Sequence, residues 1–303
     1  MRHAVGRERP WLASVVVSLV LGAATGCADG APGPGAPSPG DAASARPVGS
    51  APWPDGLAAY VDQSRLERQG REVFVRLVDS TDHELTALRA EVGSERFATT
   101  TWTGEKTFLN EADLPVALPL ARCGTGSDAT VRLTYRVDGG PPVESTTTAE
   151  DRYGAVGLFL DRDCAAQRLA DAADLEVGEP RVVGRGRGSV LELDVTLRPT
   201  GAAHPATVFR GFEDTVLFRQ AEGSASVGSG VRVRLATGPP EQVRLRLVPS
   251  RCDPHALAED KVGTLVGVRV GGPGLPAAAS FYLPLPDATR AALRGFFATH
   301  CGL

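Results

Sequence analysis

Five stretches of this chain keep a strict period of two, and that periodicity limits the fold more than any other feature. Val73, Val75 and Leu77 alternate with Phe74, Arg76 and Val78, and Val131, Leu133 and Tyr135 alternate with Arg132, Thr134 and Arg136. Leu191, Leu193, Val195 and Leu197 alternate with Glu192, Asp194, Thr196 and Arg198. Val231, Val233 and Leu235 enclose Arg232 and Arg234, and Val243, Leu245 and Leu247 enclose Arg244 and Arg246. Successive side chains of a strand point to opposite faces, so each stretch predicts a strand with one face in a core and one in water, the habit of antiparallel sheets. Turn-forming clusters such as Asp138-Gly139-Gly140-Pro141-Pro142, Gly238-Pro239-Pro240 and Gly271-Gly272-Pro273-Gly274 lie between strand candidates. Many short strands at this spacing predict a mainly β fold of sandwich type.

The pattern occurs twice. Val116–Cys123, with Arg122 before its cysteine, resembles Val243–Cys252, with Arg251 before its cysteine. Tyr135-Arg136-Val137 resembles Val268-Arg269-Val270, and Gly157-Leu158-Phe159 ahead of Cys164 resembles Gly295-Phe296-Phe297 ahead of Cys301. The landmarks keep their order, which predicts tandem domains over 59–172 and 175–303. The architecture expected is two immunoglobulin-like β-sandwiches with a short C-terminal helix. The likeness to immunoglobulin domains is architectural only, since no Trp lies between the paired cysteines. Two helices are expected. One is a short turn over 255–261 behind Asp253-Pro254; the other runs over 288–298 behind Asp287, with Ala292, Leu293, Phe296 and Phe297 as its apolar stripe. Everything else reads as strand or loop.

Upstream of the strands, residues 1–26 have the plan of a secretory signal. Arg2, Arg7 and Arg9 precede a short apolar run, Leu12–Leu21, and small residues follow. The run is too short for a permanent membrane span. Its end, Ala24-Thr25-Gly26-Cys27, resembles the lipobox of bacterial lipoproteins. That resemblance implies a diacylglycerol thioether on Cys27, the new N-terminus, and anchorage by acyl chains at about 0.8 kcal/mol per buried CH₂. Residues 27–58 would be the lipidated cysteine and a Pro/Gly/Ala-rich disordered tether, able to reach on the order of 80 Å when extended. With only Lys106 and Lys261 against thirty arginines, the composition resembles exported lipoproteins of high-GC Gram-positive bacteria. The net charge of −4 becomes −6 once Arg2, Arg7, Arg9 and Glu8 leave with the signal. Mild acidity argues against a nucleic-acid partner.

Four cysteines remain after Cys27, and an exported chain permits disulfides. Of the three pairings possible, the repeat selects Cys123–Cys164 and Cys252–Cys301. The competing reading uses the histidines beside the second pair: Cys252-x-x-His255 and His300-Cys301 would offer thiolates and imidazoles to zinc or copper. The first repeat has no matching histidines.

Motifs of catalysis are absent or weak. Gly184-Arg185-Gly186-Arg187-Gly188 has the wrong glycine spacing for a phosphate loop and precedes a strand, so it reads as a hairpin turn whose Arg185 and Arg187 face anions at best. His255 and Glu259 are four apart, a spacing that suits a base and its orienter and equally an ordinary solvated helical pair. Asp161-Arg162-Asp163 has two carboxylates that would serve Ca²⁺ only with further oxygens from the fold. Trp102, among threonines, is the candidate binding aromatic. No cofactor is expected. The function expected is that of a lipid-anchored surface protein with a non-catalytic binding or accessory role, its partners the membrane and an envelope protein or wall glycan. A metal-handling or enzymatic role through His255 and His300 is the alternative.

The thiol count separates the two cysteine readings. Denatured but unreduced lipidated chain should show no free thiol, and four after reduction; two free thiols before reduction would contradict the disulfide pairing.

Overall fold

The computed structural model describes residues 48–303 apart from 65–67, 69, 202–205, 236 and 259–261. The secretory signal, Cys27, most of the tether, His204 and Glu259 lie outside the described residues. The first half of the described chain holds β1 (Gly49–Ser50), β2 (Leu57–Asp62), β3 (Glu72–Asp79), β4 (Leu85–Ser94), β5 (Phe97–Phe108), β6 (Glu111–Ala117), β7 (Ala129–Val137), β8 (Val143–Ala149) and helix α1 (Ala155–Ala172). The second half holds β9 (Ala173–Val177), β10 (Arg181–Val183), β11 (Val190–Pro199), β12 (Val208–Phe212), β13 (Phe218–Gln220), β14 (Val233–Arg234), β15 (Glu241–Pro249), α2 (Pro254–Ala258), β16 (Gly267–Gly271), β17 (Ser280–Tyr282) and α3 (Asp287–Cys301). The protein is mainly β and closes on a C-terminal helix.

Burial follows the alternation, except that Glu192 on the outward face of β11 is itself buried beneath its arginine partners. Val73, Val75 and Leu77 of β3 point inward, as do Val131, Leu133 and Tyr135 of β7, Leu191 to Leu197 of β11, and Val243 to Leu247 of β15. Their polar neighbours face out and pair across the ladder. Glu192 lies opposite Arg246 and Asp194 opposite Arg244, and the two guanidinium groups reach those carboxylates at 3.0 and 2.6 Å. Such cross-strand pairs set register on the wet face, while the apolar set fixes it on the dry one.

The strand order recurs. The antiparallel ladder β2-β3-β6 returns as β9-β11-β15, and β4-β7-β8 returns as β12-β16-β17. In each half a cysteine just beyond the third strand of the first ladder is bonded to one on the closing helix: Cys123 to Cys164 on α1 and Cys252 to Cys301 on α3, with Cα atoms 5.5 and 5.2 Å apart. Loops of 41 and 49 residues are closed, worth roughly 4 kcal/mol each on the chain-entropy account.

Helix α1 departs from the expectation of strand or loop over 155–172. Its buried residues Val156, Phe159, Leu160, Cys164, Ala165, Leu169 and Ala172 recur at three- and four-residue steps. That helical period is legible in the sequence but is interrupted by Asp161-Arg162-Asp163. The helix starts at Gly154, whose left-handed φ of 65° turns the chain into it. Asp151 reaches over this start and accepts the Gly157 N–H at 2.7 Å, satisfying a donor that the helix leaves open. α2 covers Pro254–Ala258 of the turn expected over 255–261, and 259–261 lie outside the described residues.

Two arginines hold the Cys123 loop on α1. Arg96, almost fully buried, donates to the carbonyls of Arg122 and Gly126 and to Asp161, all at 2.9 Å. Arg71 grips both Asp163 oxygens at 2.8 and 3.0 Å and donates to the carbonyls of Leu118 and Pro119. Asp163 also accepts the Ala121 N–H at 2.7 Å. The two carboxylates are therefore committed to guanidinium groups, and the Ca²⁺ reading of Asp161 and Asp163 is corrected.

Burial by itself would raise the Asp163 carboxyl. The Arg71 hydrogen bonds, the Ala121 N–H, the Arg71 charge and the Gln167 amide outweigh it and hold the group below its ordinary value of 3.8. A carboxyl depressed in the folded state contributes stability that is complete above the unfolded value and is lost as pH falls through the lower folded one. Asp163→Asn should therefore cost roughly 2–3 kcal/mol in urea unfolding at pH 7. That difference should shrink between pH 4 and pH 2; a pH-independent difference would contradict the clamp.

Candidate functional site

A groove runs along one flank of α1, at the edge of its two buried faces. Ala155, Leu158, Arg162 and Ala166 succeed one another on that flank at helical spacing, and Arg162 stands midway. The groove has an upper basin of about 830 Å³ and a lower one of about 440 Å³, and Arg68 and Arg162 line both.

The upper basin is polar with an aromatic rim. Its far wall is the outward face of β2, β3 and β6, with Asp62, Phe74, Arg76 and Asp113. Arg76 makes a two-pronged pair with Asp113, both bonds 2.8 Å, and lies over the Phe74 ring at 5.0 Å. The hydrogen bond to Asp113 raises the Arg76 pKa against a smaller opposing effect of burial, so the guanidinium stays charged. Tyr153 stands at the rim, two-thirds exposed, with Arg152 stacked between it and Tyr60 at 4.7 and 4.1 Å.

The lower basin is apolar with a charged floor. Phe159 of α1 faces Tyr282, Leu283, Pro284 and Pro286, which lead from β17 into α3. Of its arginines, Arg71 is neutralised by Asp163 and Arg290 is paired with Asp287. Arg162 is half-buried, its guanidinium stacked on the Tyr282 ring at 4.4 Å. It makes no ion pair with any described carboxylate. Burial lowers its pKa below the ordinary arginine range, and the neighbouring Arg68 charge acts in the same sense; Tyr282 and the distant Glu213 only partly oppose this. Glu213 is itself held by Arg269.

No family profile and no curated protein matches the chain. Among solved structures it is similar to the Amycolatopsis orientalis exo-chitosanase CsxA, with 13% identity over 76% of this chain and a TM-score of 0.19. It is similar to red sea bream transglutaminase, with 11% identity over 75% of the chain and a TM-score of 0.22. The chain spans about a quarter of the chitosanase and 30% of the transglutaminase. The calcium-binding domain CBD12 of CALX1.1 matches at 13% identity over 75% of this chain and 80% of its own, with a TM-score of 0.18. At these scores no functional argument rests on the likeness.

Of the residues singled out for chemistry in the sequence, only Asp163, with its neighbour Arg162, lines this groove. Trp102 sits half-buried on β5 against the first core, its ring so close over Gly104 that a Cβ there would lie 2.8 Å from Cζ2. Arg185 lines a separate hollow of about 410 Å³ between the β10–β11 turn and α3, while Arg187 is exposed on that turn. His300 is buried, its Nδ1 3.1 Å from the hydroxyl of Ser189, which in turn donates to the Gly186 carbonyl. His255 is exposed on α2. With Cys252 and Cys301 joined to each other, neither sulfur is a thiolate for a metal, and no cluster of three metal-binding side chains occurs among the described residues. The groove residues carried no motif; only the helical face of α1, once placed, brings Leu158 and Arg162 into line.

An unneutralised, half-buried guanidinium is a cost to stability, and stacking on one ring offsets only about 0.5–2 kcal/mol of it. Arg162→Met should leave the unfolding free energy unchanged or raise it by up to about 1 kcal/mol. A loss of 2 kcal/mol or more would make Arg162 a structural residue.

Proposed function

We propose that this chain is a lipid-anchored protein of the extracytoplasmic envelope that binds a cell-wall glycan, without catalysis, in the groove along α1. On this reading residues 1–26 direct export, Cys27 carries the acyl chains and the Pro-rich residues ahead of β1 are the spacer; the expected tether over 27–58 is shortened at its end, because 49–50 form β1 and 57–58 belong to β2. Tandem β-sandwich domains over 59–172 and 175–303 are the binding unit. The observation that carries the binding role is the upper basin. Its Arg76–Asp113 pair is fixed before any ligand arrives, and Tyr153 and Phe74 offer flat faces beside it. Oriented charges under an aromatic rim suit a polyhydroxylated ligand, whose hydroxyls need preset partners and whose ring faces stack. The two disulfides support an oxidising compartment.

Fractionation and binding test the two parts together. The full chain should take up labelled palmitate and sediment with membranes, while Cys27→Ala should be released in soluble form. That soluble variant should be retained on purified wall, and adding Tyr153→Ala should weaken retention about five- to tenfold, the worth of one aromatic contact. Release of the unaltered chain would overturn the anchor, and absence of wall retention would overturn the ligand.

A further inference from the structure

The lower basin differs from the upper one in chemistry, and the difference identifies a second ligand class. Its walls are the rings of Phe159, Tyr282, Pro284 and Pro286. Its volume, about 440 Å³, falls in the range of roughly 300–1,000 Å³ usual for small-molecule sites. Its floor carries four arginines, two of which are spent: Arg71 on Asp163 and Arg290 on Asp287. Arg162 and Arg68 are not paired with any described carboxylate. The Arg68 charge lies close enough to disfavour that of Arg162, which is half-buried as well. Two cations side by side at the mouth of an apolar recess, with no described carboxylate paired to either, make a place that favours an anion. A planar guanidinium already oriented by stacking on Tyr282 can offer two parallel N–H donors to a carboxylate or phosphate.

We propose that the lower basin binds an amphiphilic anion: one phosphate or carboxylate group held by Arg162 and Arg68, with its apolar chain lying against Phe159, Pro284 and Pro286. The proposal rests on the reading of the α1 groove as a binding site and assigns a ligand class to its other end. Arg162 recognises the head and is not a fold determinant. The apolar wall recognises the tail, so neither a bare anion nor a neutral amphiphile satisfies the site.

Calorimetric titration of the full soluble chain (Cys27→Ala) tests this with octyl phosphate, inorganic phosphate and octyl glucoside, all below micelle-forming concentrations. Octyl phosphate should bind one to one, and at least tenfold more tightly than either of the others. Arg162→Gln should weaken it roughly 10- to 100-fold, as expected for loss of a charge-assisted hydrogen-bond pair, and added NaCl should weaken it further. Equal affinity for octyl glucoside, or an unchanged affinity in Arg162→Gln, would overturn the proposal. Flotation with phosphatidylglycerol vesicles, compared with phosphatidylcholine vesicles, then separates the sources. Arg162-dependent flotation assigns a membrane lipid, and its absence beside tight octyl phosphate binding assigns a soluble amphiphile. Wall retention without octyl phosphate binding would sink this inference alone. Octyl phosphate binding without wall retention would sink the glycan reading alone.

Discussion

Everything in the described chain hangs on one helix being buried twice. The first part of α1 gives Val156, Phe159, Leu160 and Cys164 to the core enclosed by β2–β8, and its second part gives Ala165, Leu169 and Ala172 to the core enclosed by β9–β17 and α3. Eighteen residues make a rod of roughly 27 Å, long enough to serve both. Burial of a Leu- or Phe-sized side chain stabilises by about 1.5–3 kcal/mol, so each core has several kcal/mol invested in keeping α1 in place. A helix covered on two sides has only a narrow flank left, and that flank is the groove.

Three consecutive residues of α1 show how the same local sequence serves different ends. Asp161 faces Arg96 and Asp163 faces Arg71, so both carboxylates lock the Cys123 loop beside its disulfide partner. Arg162, between them, turns the other way and meets Tyr282. In a helix each residue is rotated by about 100° from the last, so neighbours in sequence cannot share one environment. The carboxylates are matched charges that contribute stability. The arginine is paired with no described carboxylate, and burial moves its pKa down. Groups kept where the fold gains nothing from them are the usual mark of a site.

The strands were legible because a half-buried antiparallel sheet writes its two faces directly into the chain, as β3, β7, β11 and β15 show. The disulfide pairing was legible because duplicated strand order places each cysteine in the same relation to its closing helix. α3 was legible from its apolar stripe over 288–298, and it runs from 287 to 301. α1 was not, although its landmark Gly157-Leu158-Phe159 matches Gly295-Phe296-Phe297 on α3. Two polar partners, Arg71 just before β3 and Arg96 in the β4–β5 turn, come from 92 and 65 residues away, and without them three charged residues in a row look like a solvated loop.

The sequence alone determined the mainly β architecture, the partner of each cysteine and the residues facing each core, because these follow from local periodicity and from order along the chain. Only the tertiary structure decided where a ligand could sit. Arg162 is an ordinary helical arginine until β17 brings Tyr282 beneath it and the bend before α3 supplies the apolar wall. Trp102, chosen for its chemistry, is instead laid against its own strand by Gly104. A site made of long-range neighbours has no period and no motif, so it exists only once the chain has folded.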